Sequence, residues 1–368
     1  MESVKITGRQ LRLLVILYVV GSSILFAPAT LATEAKQDAW IASLLSIVVG
    51  LLVGLMFTKI FHAYPGLSIV HITEEVLGKW VGKILASLFF IFTYLLASLV
   101  LRNLGEFMAT EILPDTPIQF IHMLILPVVI MGVVYGLNVL AQAAEILSII
   151  FFIMFFFFMI FLIPQIQTDN LLPVFDGGIK PIIRASIPYI GFPFLELVIF
   201  LMIFPQVKEE QKVRSAFLIG VAVGGLMISL ITLLSILVLG ADLTARHNYP
   251  SYILGKKISV GNFIERIEAV VAIIWMITIF FKLSILYYAS LVSLMQIFQF
   301  KSYRFLALPY GVIMIVLALV VYPNIAYIYL FVSRIWFFYA ASFGFVFPLI
   351  LWIGILWRKR YPKQPQNG

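Results

Sequence analysis

The chain has 368 residues, 62% of them hydrophobic and 11% charged, with a net charge of +8 and a mean hydropathy of +1.09. Soluble domains carry about 25% charged residues, so this sequence cannot clothe a water-soluble globule in polar side chains. It has no cysteine, and its four histidines (His62, His71, His122, His247) are scattered singly; this leaves no disulfide framework, no thiolate or histidine metal cluster and no expected cofactor.

Apolar stretches of ~20 residues, the length a helix needs to cross the hydrocarbon core, recur along the whole chain with short loops between them. The first, roughly 11–32, shows no convincing cleavage site and runs straight on to a second at 39–61, so it is expected to stay as a span. Its centre reads Gly21-Ser22-Ser23-Ile24-Leu25-Phe26-Ala27-Pro28. Next, Leu67–Trp80 alternates apolar and charged positions as a short amphipathic helix on the inner membrane face does. The third span, 81–112, carries Arg102 and Glu106 four residues apart, a spacing that lets them pair on one helix face, structurally or as a gate. Spans four (117–135) and five (141–164) follow. The run Phe151-Phe152-Ile153-Met154-Phe155-Phe156-Phe157-Phe158 in span five favours a helix over a barrel strand, and Glu145 marks that span's inner end.

Span six, 185–206, reads Pro188-Tyr189-Ile190-Gly191-Phe192-Pro193-Phe194-Leu195-Glu196. Span seven is 215–241. The loop Asp242–Gly261 is long for a tight bundle and serves either as a lid or as a plain cover. Span eight, 262–291, opens with the interfacial charges Glu265, Arg266 and Glu268 and carries Lys282 well inside it. Spans nine (303–322) and ten (332–357) precede a tail at 358–368. With the N-terminus inside, the segments expected in the cytoplasm hold fifteen Lys and Arg residues and the outer loops seven. Both termini are therefore expected in the cytoplasm.

Glycine and proline together in mid-membrane free backbone groups that must face protein or a water-filled cavity, and interrupted spans at matching places in two halves point to a transporter-type binding site. Gly21 and Gly191 are 170 positions apart. So are the Gly50-x-x-x-Gly54 and Gly220-x-x-x-Gly224 pairs of spans two and seven, a motif whose plain meaning is close helix packing. One integral membrane domain, 1–368, is expected, with repeats of about 8–164 and 180–357; five spans per repeat place the copies in opposite topology. Deep charges need a partner or a task. Glu196, just after the break in span six, and Lys282 are candidates for ligand or cation handling, Lys282 standing where a coupling cation would sit.

Five plus five inverted repeats with broken spans one and six resemble the amino acid/polyamine/organocation superfamily, whose fold is that of the leucine transporter (the LeuT-like fold). More narrowly the chain is similar to the B subunits of bacterial spore germinant receptors, the endospore germination permeases. The likeness rests on Ile6-Thr7-Gly8-Arg9-Gln10-Leu11, Gln37-Asp38-Ala39-Trp40, Phe192-Pro193-Phe194-Leu195-Glu196, Tyr249-Pro250-Ser251 and Phe263-Ile264-Glu265-Arg266-Ile267-Glu268, with Trp275 and Lys282 following. Leu195 stands where the family often has glycine. The resemblance implies sensing of a small nutrient, an amino acid above all, in the spore inner membrane. It also implies work with a larger A-type membrane subunit and a C-type lipoprotein, and a ligand held between spans one, three, six and eight. In that pocket, N–H groups around Gly21, Ser22, Ser23 and Ile24 suit a carboxylate. Carbonyls near Gly191 and the Glu196 carboxylate suit an amine, and Tyr94, Ser98, Phe192 and Phe194 form walls.

The same architecture serves an active amino-acid transporter coupled to protons or sodium, and a scaffold subunit with a vestigial pocket is a third reading. An intramembrane enzyme is disfavoured, since no aspartate lies deep in a span and no serine–histidine pairing is suggested. The basic charge is spread over loop ends, which suits anionic lipid and not nucleic acid.

Overall fold

The computed structural model describes residues 5–258, 267–322, 327 and 331–360. Those residues are helical apart from loops and one isolated parallel bridge, Ile6 with Val207. Residues 262–266, which open the expected eighth span and include Glu265 and Arg266, lie outside them.

The expected first span is two helices, α1 (Gly8–Val20) and α2 (Ser23–Ala35). Thr7 caps α1 in a reciprocal box: its hydroxyl accepts from Gln10 N at 3.2 Å and its own N–H donates to Gln10 Oε1 at 2.8 Å. Ile6 is tied to the chain beyond span six, its N–H donating to Gln206 O and its carbonyl accepting from Lys208 N, both at 2.8 Å. A three-residue turn joins α2 to α3 (Ala39–Ala63). Here Gln37 donates to Pro173 O at 2.6 Å and Asp38 accepts the Phe175 N–H at 3.0 Å, pinning the segment between the repeats to this corner. The Leu67–Trp80 stretch contains α4 (Ile69–Leu77), which buries Ile69, Val70, Ile72, Thr73 and Val76 and turns His71 and Glu75 outward.

Span three is α5 (Lys79–Phe107), four is α6 (Ile118–Tyr135) and five is α7 (Leu137–Leu162). In span six, α8 (Ile179–Tyr189) breaks at Ile190–Phe194, where Phe192 has extended backbone (φ −137°, ψ 126°). Beyond the break, Leu195–Met202 is wound as a tight 3₁₀ helix. Then come α9 (Val213–Leu239), two short loop helices α10 (Ala241–Arg246) and α11 (Pro250–Lys257), α12 (Glu268–Phe298) and α13 (Arg304–Val320). A last helical run, α14, covers 332–360. Among the described residues, eight helical stretches are long and apolar enough to cross a membrane. The longest of these, 41 residues, is α2 and α3 with the turn between them, and α13, at 17 residues, is shorter than all eight.

The glycine pairs set how closely the repeats approach. A Cβ at Gly220 would lie 2.7 Å from Val15 and one at Gly224 2.8 Å from Val19, so α1 packs almost backbone to backbone on α9. In the other repeat Gly50 of α3 receives the Phe194 ring from span six, and Gly54 the Phe217 ring. Gly220, Gly224 and Gly50 thus face the other repeat's broken span, whereas Gly54 faces α9, the other repeat's second span. Outside this core, α5 packs on α12 and α13, and α6 on α13 and α7.

Candidate functional site

The break in span one falls at Gly21–Ser22, ahead of Pro28. Gly21 closes α1, its N–H donating to Leu17 O at 2.9 Å. Pro28 sits inside α2, where its missing N–H leaves the carbonyl four residues back, Ile24 O, without an intrahelical donor. The Ser251 hydroxyl of α11 fills that vacancy. Proline and the Tyr249-Pro250-Ser251 string therefore act together: one frees a carbonyl, the other caps it. Tyr249 packs edge-on against Phe26 at 5.5 Å and Phe107 at 5.0 Å, and burial pushes its phenol above the ordinary tyrosine range.

At Gly21 the lysine of α12 crosses the break. A Cβ there would lie 2.6 Å from Lys282 Cδ and 2.7 Å from Tyr18 O, so glycine is required for the close approach. Lys282 Nζ reaches Glu196 Oε2 at 2.8 Å, with the two side chains 1% and 2% exposed. The ammonium also lies 5.1 Å from the Tyr18 ring and 5.7 Å from the Phe192 ring, both within cation–π range. Burial of either charge alone costs several kcal/mol, which pairing offsets. One buried ion pair thus joins α1, the segment after the break in span six, and α12.

Above this pair lies a cavity of about 60 Å³, lined by Ser22, Phe26 and Thr30 of the first span, a stripe of α5, Phe192 and Glu196 of the sixth, Lys282, and Trp336 of α14. Space of that size holds about four to six water-sized spheres. The Ser22 hydroxyl lines it without a hydrogen-bond partner among the described residues, at the N-terminus of α2, where N–H groups and the helix dipole favour an anion. A larger cavity of about 530 Å³ adjoins it, sharing Thr30 and Val332 and reaching Arg184 of α8 and Ala245 of α10.

Of the residues expected to form the pocket, Ser22, Phe192, Glu196 and Lys282 line the cavity. Gly21 shapes the break beneath it. Ser23 is buried with a hydroxyl that has no partner among the described residues, and Ile24 accepts from the Ser251 hydroxyl through its carbonyl. Gly191 backs onto Phe337 of α14, where a Cβ would meet its Cα at 3.2 Å. Phe194 packs edge-on against Tyr189 at 5.4 Å, away from the cavity. Tyr94 and Ser98 face elsewhere too. The Tyr94 ring lies 4.4 Å from that of Tyr310 and its hydroxyl donates to Tyr310 O at 3.3 Å; Ser98 donates to Tyr94 O at 3.0 Å. Arg102 and Glu106 do pair, at 2.6 Å. Arg102 also donates to Leu319 O at 3.2 Å and lies over the Tyr322 ring at 5.0 Å, and Tyr322 donates to Asn103 Oδ1 at 3.0 Å.

The wall from α5 is Leu96, Leu99, Val100 and Asn103, a stripe at i, i+3, i+4 and i+7 that the sequence reading missed. Apart from a few polar residues span three is apolar around its circumference, so its periodicity marks no single inward face; Asn103, an amide in mid-helix, is the available signal.

Comparison with known proteins places this geometry. A family model described as "Spore germination protein" matches residues 5–326. The chain belongs to that family. It is 31% identical to spore germination protein KB of Bacillus subtilis over 98% of this chain and 97% of that protein. Among solved structures it is similar to MHP1, a nucleobase-cation-symport-1 family transporter with bromovinylhydantoin bound, at TM-score 0.70 and 11% identity, over 97% of this chain and 80% of that one. It is also similar to MhsT in complex with L-phenylalanine, at TM-score 0.68 and 13% identity, over 94% and 97%. The fold is thus the all-α, LeuT-like transporter fold, with the first and sixth spans broken, in a multi-pass membrane protein of the spore germination family.

Proposed function

We propose that this chain is the B-type subunit of a spore germinant receptor and that it binds a small nutrient, an amino acid, in the cavity at the two helix breaks. The observation that carries this reading is the buried conjunction of Ser22 at the start of α2 with the Lys282–Glu196 pair. An anion-favouring helix terminus and a carboxylate face one small space, which suits a carboxylate and an ammonium on one molecule. Binding there shifts the two broken spans against α5 and α12, and an A-type membrane subunit and a C-type lipoprotein in the spore inner membrane receive the change. Lys282 serves as a fixed cation at the core, and Arg102–Glu106 as an element of the outer closure.

The test is binding of labelled amino acids and sugars to the purified chain in lipid, with Gly21→Leu alongside. Saturable amino-acid binding by wild type that is absent from the folded fraction of Gly21→Leu, which the clash with Tyr18 O and Lys282 is expected to reduce, is the expected result. Equal binding by the variant would overturn the pocket. The second reading, an active amino-acid transporter, is favoured by the two solved structures, one a transporter by its description and one holding L-phenylalanine. Accumulation of label inside vesicles containing this chain alone would establish it.

A further inference from the structure

The cavity of about 530 Å³ between α2, α8 and α14 differs from the central one in size, in access and in the placing of its charges. By the same measure it has room for roughly forty water-sized spheres, more than a free amino acid fills. Ile187 of α8 and Phe338 of α14 stand on its rim, and Phe338 is 70% exposed. Ile187 lies close to the break at Ile190–Phe194, so this side of the cavity opens to hydrocarbon. Four polar side chains share the wall. Thr30 and Thr33 return their hydroxyls to their own helix, donating to Phe26 O at 3.0 Å and to Ala29 O at 2.8 Å. Glu34 and Arg184 make no hydrogen bond or ion pair among the described residues, with each other or with any third group.

These two charges sit at different depths. Helices α1 and α2 have 13 residues each, so the first break lies half-way through its span. At about 1.5 Å per residue, Glu34 stands about 16 Å beyond that break, at the edge of a hydrocarbon half-layer of about 15 Å. Arg184 stands only about 9 Å beyond the break in span six, with Lys180 one turn farther out on the same exposed stripe of α8. An unpaired guanidinium at that depth is costly unless its long side chain reaches the headgroup level and meets an anion there. We propose that this cavity is a phospholipid site, in which Arg184 takes the phosphate, Glu34 the primary amine of an ethanolamine headgroup, and Ile187, Pro188, Val332 and Phe338 one acyl chain. The guanidinium fork matches a phosphate with two parallel hydrogen bonds. In such a lipid the amine lies farther from the bilayer centre than the phosphate, as Glu34 lies farther out than Arg184. A choline headgroup has no N–H to give Glu34, a glycerol headgroup has no cation, and a soluble zwitterion has no tail for the apolar wall. The site is separate from the nutrient reading, and it stands whatever the central cavity binds.

The experiment is native mass spectrometry of the full chain in detergent, titrated with dioleoyl phosphatidylethanolamine, phosphatidylcholine and phosphatidylglycerol, for wild type, Arg184→Gln, Glu34→Gln and Ile187→Trp. Wild type is expected to retain one phosphatidylethanolamine about tenfold or more tightly than either other lipid, the worth of one charge-assisted contact. Arg184→Gln is expected to weaken all three by about the same factor. Glu34→Gln is expected to abolish the preference for ethanolamine over choline while retaining the lipid. Ile187→Trp fills the cavity and is expected to displace the tail. It leaves both charges in place, so it keeps the test decisive if Arg184→Gln fails to accumulate. Equal retention of the three lipids by wild type, or retention unchanged in both Arg184→Gln and Ile187→Trp, shows annular lipid only and overturns the site. A preference for phosphatidylglycerol overturns the pairing of Glu34 with an amine. Displacement of the bound lipid by free phosphoethanolamine or L-alanine makes the cavity one for soluble zwitterions, and overturns the lipid assignment.

Discussion

Lys282 has little choice inside this fold. Its stem lies against Gly21 and its ammonium against Glu196, Tyr18 and Phe192, with almost no exposed surface, so its charge must be answered there or cost several kcal/mol. Glu196→Gln leaves the ammonium without its counter-charge, and a loss of about 3–5 kcal/mol is expected, read as a lower thermal midpoint in detergent. Replacing both partners, Glu196→Leu with Lys282→Met, removes the desolvation cost along with the attraction and is expected to recover most of that loss. A double variant as unstable as Glu196→Gln would show that the pair does more than neutralise itself. Either ionisable residue alone is visible in the sequence as an anomaly; that they meet is not, because 86 positions separate them along the chain.

At the scale of elements, two fastenings hold the first span. On one side α11 is hooked to α2 through Ser251 and the carbonyl that Pro28 leaves free. Ser251→Ala strands a buried carbonyl and is expected to cost about 1–3 kcal/mol, seen as faster amide exchange over 250–257. Pro28→Ala supplies the missing N–H within α2 and is expected to return part of that loss in the Ser251→Ala background; no rescue would show that the proline does not set the attachment of α11. On the other side, the Gly8 N–H donates to Glu209 at 3.2 Å and Lys212 donates to the same carboxylate at 2.9 Å. Those bonds, Lys212 first and then Gly8, hold the half-buried Glu209 carboxyl below its ordinary pKa. A carboxylate depressed in the folded state contributes its stabilisation above the unfolded value of about 4.3, and the contribution fades as pH falls through the folded value. Protection of the Gly8 amide against exchange is therefore expected to hold near neutrality and to fall on acidification below about pH 4. Glu209→Gln is expected to flatten that profile, and an unchanged acid response in the variant would place the titrating group elsewhere.

For the whole molecule, glycines of α3 and α9 set the close packing between the repeats, and the Lys282–Glu196 pair, both of whose residues lie in the second repeat, meets the break of the first span at Gly21. If Lys282 stands in for a coupling cation, no stabilising ion needs to bind at the breaks. The thermal midpoint of the purified chain is then expected to be the same in sodium as in potassium. A cation bound to the folded state alone would raise it by mass action, so a clear sodium-specific rise would remove Lys282 from that role.

The sequence by itself determined the membrane environment, the approximate spans, the amphipathic α4 and both broken helices, because each is a local property: hydropathy over one span, or Gly and Pro where a helix needs a donor. It also determined the Arg102–Glu106 pair, whose i, i+4 spacing lies on one helix. Tertiary structure decided which face of each apolar helix looks inward. Tyr94 and Ser98 were candidates for the pocket wall, yet they share a face of α5 with the Tyr310 contact, while Leu96, Leu99, Val100 and Asn103 turn to the cavity. In lipid both faces of a span are apolar, so composition carries no record of which one meets the pocket; only packing against a partner helix selects it.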